Sequence, residues 1–404
     1  MSLATIQDPV ALMPVVNTIP IVYDSSFKTE SGFRYKVDLK NGSGNQVLTL
    51  WVHPDTNNNN YCIYNFNMVL SDLVGMDKDN WNVEDFTTAP NSLYLYNFRV
   101  TEYIGSTSGD THLGSTYYAF RSVKQYGDFW DMADYLPITG TTASFLSTRN
   151  KREYSLTETA VVNTFYGTFG TTTTTWDRLE IDVSNGDILI GYYISGVTVN
   201  GNIYTLPIGP AQLNQMAIDG KVYNASTGLQ VGAAILDTDD VWYDVYLKNG
   251  NDYVSETLRI YLDHTCYKHT GVKFVWLGDL STYEQYTFRM ADVTSFKTSR
   301  NEVKSDYHSL VGSNWTYNIG SRGRKNINIS TTESHRVLSG WLRDEEAADL
   351  MELFRSPDVY VNIDGNLYPI IITNTSYDLK TIKNNRLFNY TIDYEMAFEK
   401  MSNV

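Results

Sequence analysis

The sequence predicts a mainly β protein: tandem β-sandwich-like domains followed by a small C-terminal α+β domain containing one short helix. Three observations carry this expectation. Tyrosine is abundant, 31 among 404 residues, while only 19% of the chain is charged. Tyr and Thr suit pleated, half-buried surfaces, and Asn and Gly suit the turns between them. Short alternating runs are separated by Asn-Gly and Asp-Gly pairs, the pattern of hairpins. Helical spacing is plain in one place, where Ala347, Leu350, Met351 and Phe354 recur at i, i+3, i+4 and i+7.

In chain order, residues 1–16 contain Pro9 and Pro14 and no periodic pattern, as suits an N-terminal arm. Such a segment is either a disordered tail or an arm docked on a neighbour. A first β-sandwich domain is expected over 17–145. Phe33, Tyr35, Val37 and Leu39 alternate with Arg34, Lys36 and Asp38, so one face is buried. Asn41-Gly42-Ser43-Gly44 turns the chain into a strand over 47–52, and 57–60 is an Asn-rich loop. The apolar cluster over 68–74 suits a helical turn laid on the sheet. Further strands are expected over 93–103 and 115–122.

A second sandwich domain is expected over 146–300. Its strands lie over 161–166, 176–183, 188–194 and 203–208, with turns at Asn185-Gly186 and Asn200-Gly201. The threonine run over 171–175 reads as a loop or an exposed edge, with receptor contact as the alternative. An internal echo links the two domains. Tyr35-x-Val37-x-Leu39-Lys40-Asn41-Gly42 returns as Tyr243-x-Val245-x-Leu247-Lys248-Asn249-Gly250. Either the two modules share one design, or an Asn-Gly hairpin selects the same residues twice.

The C-terminal domain, 301–404, reads as an α+β assembly domain. Asp344, Glu345 and Glu346 favour a helix start, and Ser356-Pro357 ends that helix. Glu345, Glu346, Asp349 and Glu352 are expected on its solvent face. Val359, Val361 and Ile363 then alternate before a type I′ turn at Asp364-Gly365. A last strand places Phe388, Tyr390, Ile392, Tyr394, Met396 and Phe398 on one face.

Composition excludes several classes. The net charge of −15 argues against general affinity for a phosphate backbone. Two cysteines, Cys62 and Cys266, make no disulfide framework. No run approaches the roughly 20 apolar residues of a membrane span, so no membrane partner is expected. The opening MSLATIQDPVALMP lacks the basic and apolar regions of a secretory signal.

Site chemistry is sparse. His264, Cys266 and His269 have a spacing that suits three zinc ligands, but a fourth is missing and strand packing accounts for them. Asp237, Asp239 and Asp240 suggest a calcium loop, yet the Gly and terminal Glu of an EF-hand are absent; a solvated turn is the simpler reading. Nucleophile and phosphate-binding signatures are missing, so neither catalytic residues nor cofactors are assigned. Two basic groups remain. Arg322, Arg324 and Lys325 form one; Lys380, Lys383 and Arg386 form the other. On so acidic a chain they are candidate subunit-interface residues, though the first group equally suits an exposed hairpin tip.

Three passages carry a resemblance. One runs from Ser339-Gly340-Trp341-Leu342-Arg343-Asp344-Glu345-Glu346 through Glu352-Leu353-Phe354-Arg355-Ser356-Pro357 to Leu387-Phe388-Asn389-Tyr390-Thr391. The second is Leu206-Pro207-Ile208-Gly209-Pro210-x-x-Leu213. The third is Phe274-x-Trp276-Leu277-Gly278, followed by Tyr283-x-x-Tyr286-Thr287-Phe288. Together they resemble virion structural proteins of tailed phages of the Bacteroidetes, including the crAss-like phages. The resemblance implies a tail or tail-ring component, made in the bacterial host cytoplasm and built into the virion tail. Its implied partners are copies of itself in a ring and other tail or portal-proximal proteins. Genome DNA would pass the lumen during ejection without specific binding, and the acidic charge suits such a lumen. The alternative is a peripheral receptor- or glycan-binding adaptor or fibre module.

Overall fold

The computed structural model describes residues 3–122, 130–149, 152–184, 188–193, 201–267, 271–304, 308–317, 324–340, 342, 344–374 and 389–398. The protein is mainly β, 51% strand and 10% helix, with several antiparallel sheets. It divides into two compact units, Met1–Thr265 with Leu277–Glu284, and Cys266–Trp276 with Gln285–Val404. The Asn185-Gly186 turn and Asn200 lie outside the described residues.

The first unit holds two sandwich cores. In one, a three-stranded sheet (Leu3–Gln7, Pro20–Ser25, Cys62–Asn65) faces a sheet built on Phe33–Asn41 and Leu93–Ile104. Their alternating side chains meet inside: Ile21 and Tyr23 from one sheet, Tyr35, Val37, Leu39 and Phe98 from the other. Helix α1 (Asn67–Leu73) adds Leu70 to this core. The first sixteen residues have no side-chain period, yet Leu3–Gln7 pairs with Pro20–Ser25 and Leu12–Pro14 with Tyr117–Phe120. Backbone hydrogen bonds and the buried Leu12 hold them without a patterned face.

The second core lies between the sheet containing Arg178–Val183, Trp242–Asn249 and Leu258–Leu262 and a smaller one of Val161–Tyr166, Asn202–Pro207 and Thr87–Thr88. Leu179, Ile181, Tyr243, Val245, Leu247 and Leu206 fill it. Both copies of the echoed segment are therefore central strands with Tyr, Val and Leu inward. Both leave through a left-handed glycine, Gly44 at φ 82° and Gly250 at φ 59°.

Helix α2 (Pro210–Ile218) is a further element, and its local chemistry is explicit. Pro210 occupies the first turn, where a missing N–H costs nothing. Gln212 folds back so that its Oε1 accepts from the backbone N–H of Ala160 at 2.8 Å and of Gly209 at 3.2 Å. A Cβ on Gly209 would lie 2.3 Å from the Ala160 nitrogen, so glycine alone fits there.

The second unit contains a seven-stranded sheet whose order runs Tyr283–Phe288, Val272–Leu277, Val359–Ile363, Asn366–Ile372, Thr391–Met396, Arg324–Leu338, Ala291–Lys304. Helix α3 (Asp344–Arg355) lays Leu350 and Leu353 into the core beside Phe274, Trp276, Val337, Ile392 and Tyr394. Asp364 (φ 51°) and Gly365 (φ 84°) are both left-handed, as a type I′ turn requires. Two details differ from the sequence expectation. Glu352 is buried and not on the solvent face, while the side chains of Glu345, Glu346 and Asp349 lie outside the described ones. Phe398 is exposed because the last strand ends at Met396.

Candidate functional site

The feature that the folded cores do not explain is a two-stranded ribbon. Ala291–Lys304 pairs with Arg324–Leu338 along its whole length, from Ala291↔Leu338 to Lys304↔Arg324. Near the root, Thr391–Met396 supplies a third strand, but only to residues Ser334 through Leu338. From Phe296↔Glu333 outward, no third strand joins among the described residues. Eight further residues, 297–304, extend the first strand by about 25 Å at ~3.3 Å each.

The root is well anchored. Arg336 grips Asp393 with Nε and Nη2 at 2.6 and 3.1 Å, and that partnership raises the arginine pKa. His335 stacks on Tyr394 with centroids 4.8 Å apart and planes at 15°. Val337 is fully buried. Outward, the pattern changes to hydroxyl pairs such as Thr298 and Thr331, 3.3 Å apart. Thr–Thr pairs of this kind stabilise a ladder by tenths of a kcal/mol to ~1 kcal/mol. They bury no core.

What the outer ribbon exposes is unusual. Phe296 is 67% exposed, and Val303 and Ile327 are exposed too. Between Lys304 and Arg324 a second hairpin, His308–Val311 with Asn314–Tyr317, turns at Gly312 (φ 67°). It presents Leu310, Val311 and Trp315, the last 70% exposed. A lone two-stranded hairpin is at best marginally stable in water. Exposed apolar groups of this kind are what contacts between molecules commonly cover, and among the described residues no strand pairs with the outer edge of Ala291–Lys304.

Of the candidate interface residues, the fold places Arg324 and Lys325 on this ribbon, opposite Lys304 and Val303. Arg324 Nε lies 3.0 Å from Glu302 Oε1, both well exposed. Arg322, Lys380, Lys383 and Arg386 lie outside the described residues. Lys297, Arg300 and Lys304, which were not among the candidate interface residues, are exposed on the same ribbon. No family model matches the chain, and no curated protein matches it.

The metal candidates are placed in part. His264 Nε2 lies 2.5 Å from the Asp240 carbonyl oxygen, Cys266 is exposed, and His269 lies outside the described residues. Asp237 and Asp240 cap their own turn: Asp240 Oδ2 accepts from the Asp237 N–H at 3.0 Å, and Asp237 Oδ1 from the Asp239 N–H at 2.8 Å. Among the described residues, no group of three His, Cys, Asp or Glu side chains is arranged to hold a metal ion.

The outer apolar side chains escaped sequence reasoning because Thr, Ser and Asn dominate the ribbon and break the alternation. One signal was present: Gly312-Ser313 between Leu310-Val311 and Asn314-Trp315 is a hairpin signature.

Proposed function

We propose that this protein is a non-enzymatic structural subunit of a tailed-phage virion, a tail or tail-ring component that assembles with copies of itself into a closed ring around the DNA channel. The ribbon carries this reading. Its outer part adds no residue to the core and its root is anchored firmly, so its exposed apolar and cationic side chains serve contact between molecules. Aromatic and arginine side chains are the usual anchors of such contacts. The chain's net charge of −15, multiplied over a ring, gives a lumen that repels phosphate over roughly one Debye length, ~8 Å at physiological salt. Other tail proteins and the passing genome are its remaining partners.

Solution mass and electron-microscope class averages of the purified protein test this. The expected result is a closed ring of more than three copies. A trimer would favour the receptor- or glycan-binding module instead, and a monomer at every concentration would refute assembly.

A further inference from the structure

Resting on that reading, we infer that the ribbon of one copy docks on the acidic body of the next copy and not on that copy's ribbon. The contact then joins two different surfaces.

The argument begins with charge. The described residues of 297–333 include five basic ones (Lys297, Arg300, Lys304, Arg324, Lys325) and two acidic ones (Glu302, Glu333), a net +3. Taking that +3 from the −15 of the whole chain leaves −18 on the rest. A ribbon laid against its own copy would set like charges together, which costs stability and deters association. Laid on the remainder of a neighbour, the same charges are complementary, and attraction steers the encounter.

Symmetry follows from this asymmetry. A ribbon-to-ribbon contact is self-complementary and stops at two copies. A ribbon-to-body contact leaves one donor and one acceptor unused in every open chain, so growth continues until rotation closes a ring. Size agrees. One face of the outer ribbon, ~25 Å by ~10 Å, offers roughly 250 Å², well below the ~800 Å² per partner of a stable contact. Phe296, the distal hairpin with Leu310, Val311 and Trp315, and further body surface must add the remainder.

The test uses a chain in which residues 297–332 are replaced by Asn-Gly, joining Phe296 to Glu333 through a two-residue turn. Among the described residues, none of that stretch belongs to the second unit's core, so the variant should fold. It keeps the acceptor surface and lacks the donor. Rings of wild-type protein are dissociated in high salt, mixed with a fivefold excess of the variant, and returned to low salt. Capping should reduce the mean assembly mass several-fold, and the variant alone should stay monomeric. A second full-length variant, Lys297→Glu with Arg300→Glu and Lys304→Glu, should lose rings while keeping the wild-type circular dichroism. Unchanged wild-type mass in the mixture means that the shortened chain caps nothing, so the ribbon is not the donor, and overturns the inference. Rings formed by the shortened variant alone overturn it too, yet leave the ring function standing. A wild-type chain that never assembles removes both.

Discussion

Arg152 and Glu284 meet at 3.0 Å inside the first unit, each side chain about 1% exposed. The guanidinium also donates to Ser147 Oγ at 2.6 Å and to Tyr154 Oη at 3.3 Å, while Ser147 donates to Glu284. Nearby, Asn163 Nδ2 donates to the Ser281 carbonyl at 2.8 Å, so the segment Leu277–Glu284 is tied down by buried polar bonds. Removing one partner strands the other charge. Glu284→Ala should therefore cost ~3–5 kcal/mol, whereas Arg152→Met combined with Glu284→Leu should recover most of it. Urea midpoints of the three proteins decide; a loss below about 1 kcal/mol for the single change would be wrong for a buried pair.

Asp38 sets a pH dependence. Burial alone would raise its pKa, but hydrogen bonds from Thr49 (2.6 Å) and Arg99 (2.7 Å), with Lys36 at 3.2 Å, hold it below the usual carboxylate range. A depressed folded pKa contributes stability above the unfolded value of about 3.9, and that stability is lost as pH falls through the folded value. Asp38→Asn should thus be clearly less stable than wild type at pH 5, with the gap narrowing towards pH 3. An equal gap at both pH values would show that the carboxylate charge is not what matters.

Gly209→Ala tests the turn into α2. Its methyl group would lie 2.3 Å from backbone nitrogen and 2.6 Å from the Thr159 carbonyl carbon, neither of which can swing aside. Overpacking of this kind costs ~1–3 kcal/mol or more. Thermal melts give the answer, with Gly44→Ala as a control that has open space but a positive φ.

The two thiols should behave differently. Cys62 is fully buried, and burial pushes its thiol up to about 12, whereas Cys266 is exposed. Because the thiolate is the reactive form, a thiol reagent at pH 8 should label one cysteine quickly in native protein and both in denaturant. Two fast thiols in native protein would mean that the first sandwich core opens readily.

Reversing charge with Arg324→Glu and Lys325→Glu should weaken assembly while leaving the subunit folded. The Arg324–Glu302 pair is exposed and stabilises by no more than ~1 kcal/mol. Sedimentation of the double variant beside wild type reads assembly, and circular dichroism reads folding. Equal sedimentation at low and high salt would argue against an interface role for these cations.

Much of the fold was legible where local pattern and tertiary demand agreed. The strand at 33–41 buries Tyr35, Val37 and Leu39 as its alternation requires, α3 follows its helical spacing, and Asp364-Gly365 forms the turn its type demands. Helix α2 was not legible because it is short and begins with Gly209-Pro210, a pair that usually signals a turn. The pairing of Thr87–Thr88 with Tyr204–Thr205 is settled by distant contacts alone. The candidate site was half legible. Arg324 and Lys325 drew attention as charge, but the ribbon beneath them did not, since its outer strands bury nothing and so carry no apolar period.

The repeated hairpin has a consequence for how the chain avoids mistakes while folding. The segments at 35–42 and 243–250 offer the same inward Tyr, Val and Leu, so burial alone lets each fit the other's slot, although their turns differ in length and in the left-handed glycine, Gly44 in one and Gly250 in the other. Their outward residues tell them apart. Asp244 receives Arg259 through two bonds of 2.7 Å, and Glu180 is met by Arg178 and Lys248. If 35–42 took that slot, Lys36 would face Arg259 in place of the attracting Asp244, and Asp38 would face Glu180 where Tyr246 now stands, two repulsions for one attraction lost. In the reverse exchange Tyr246 would stand where Asp38 belongs, leaving Arg99 unanswered. The ion pairs thus favour the native slot for each segment where burial of Tyr, Val and Leu alone would not distinguish them.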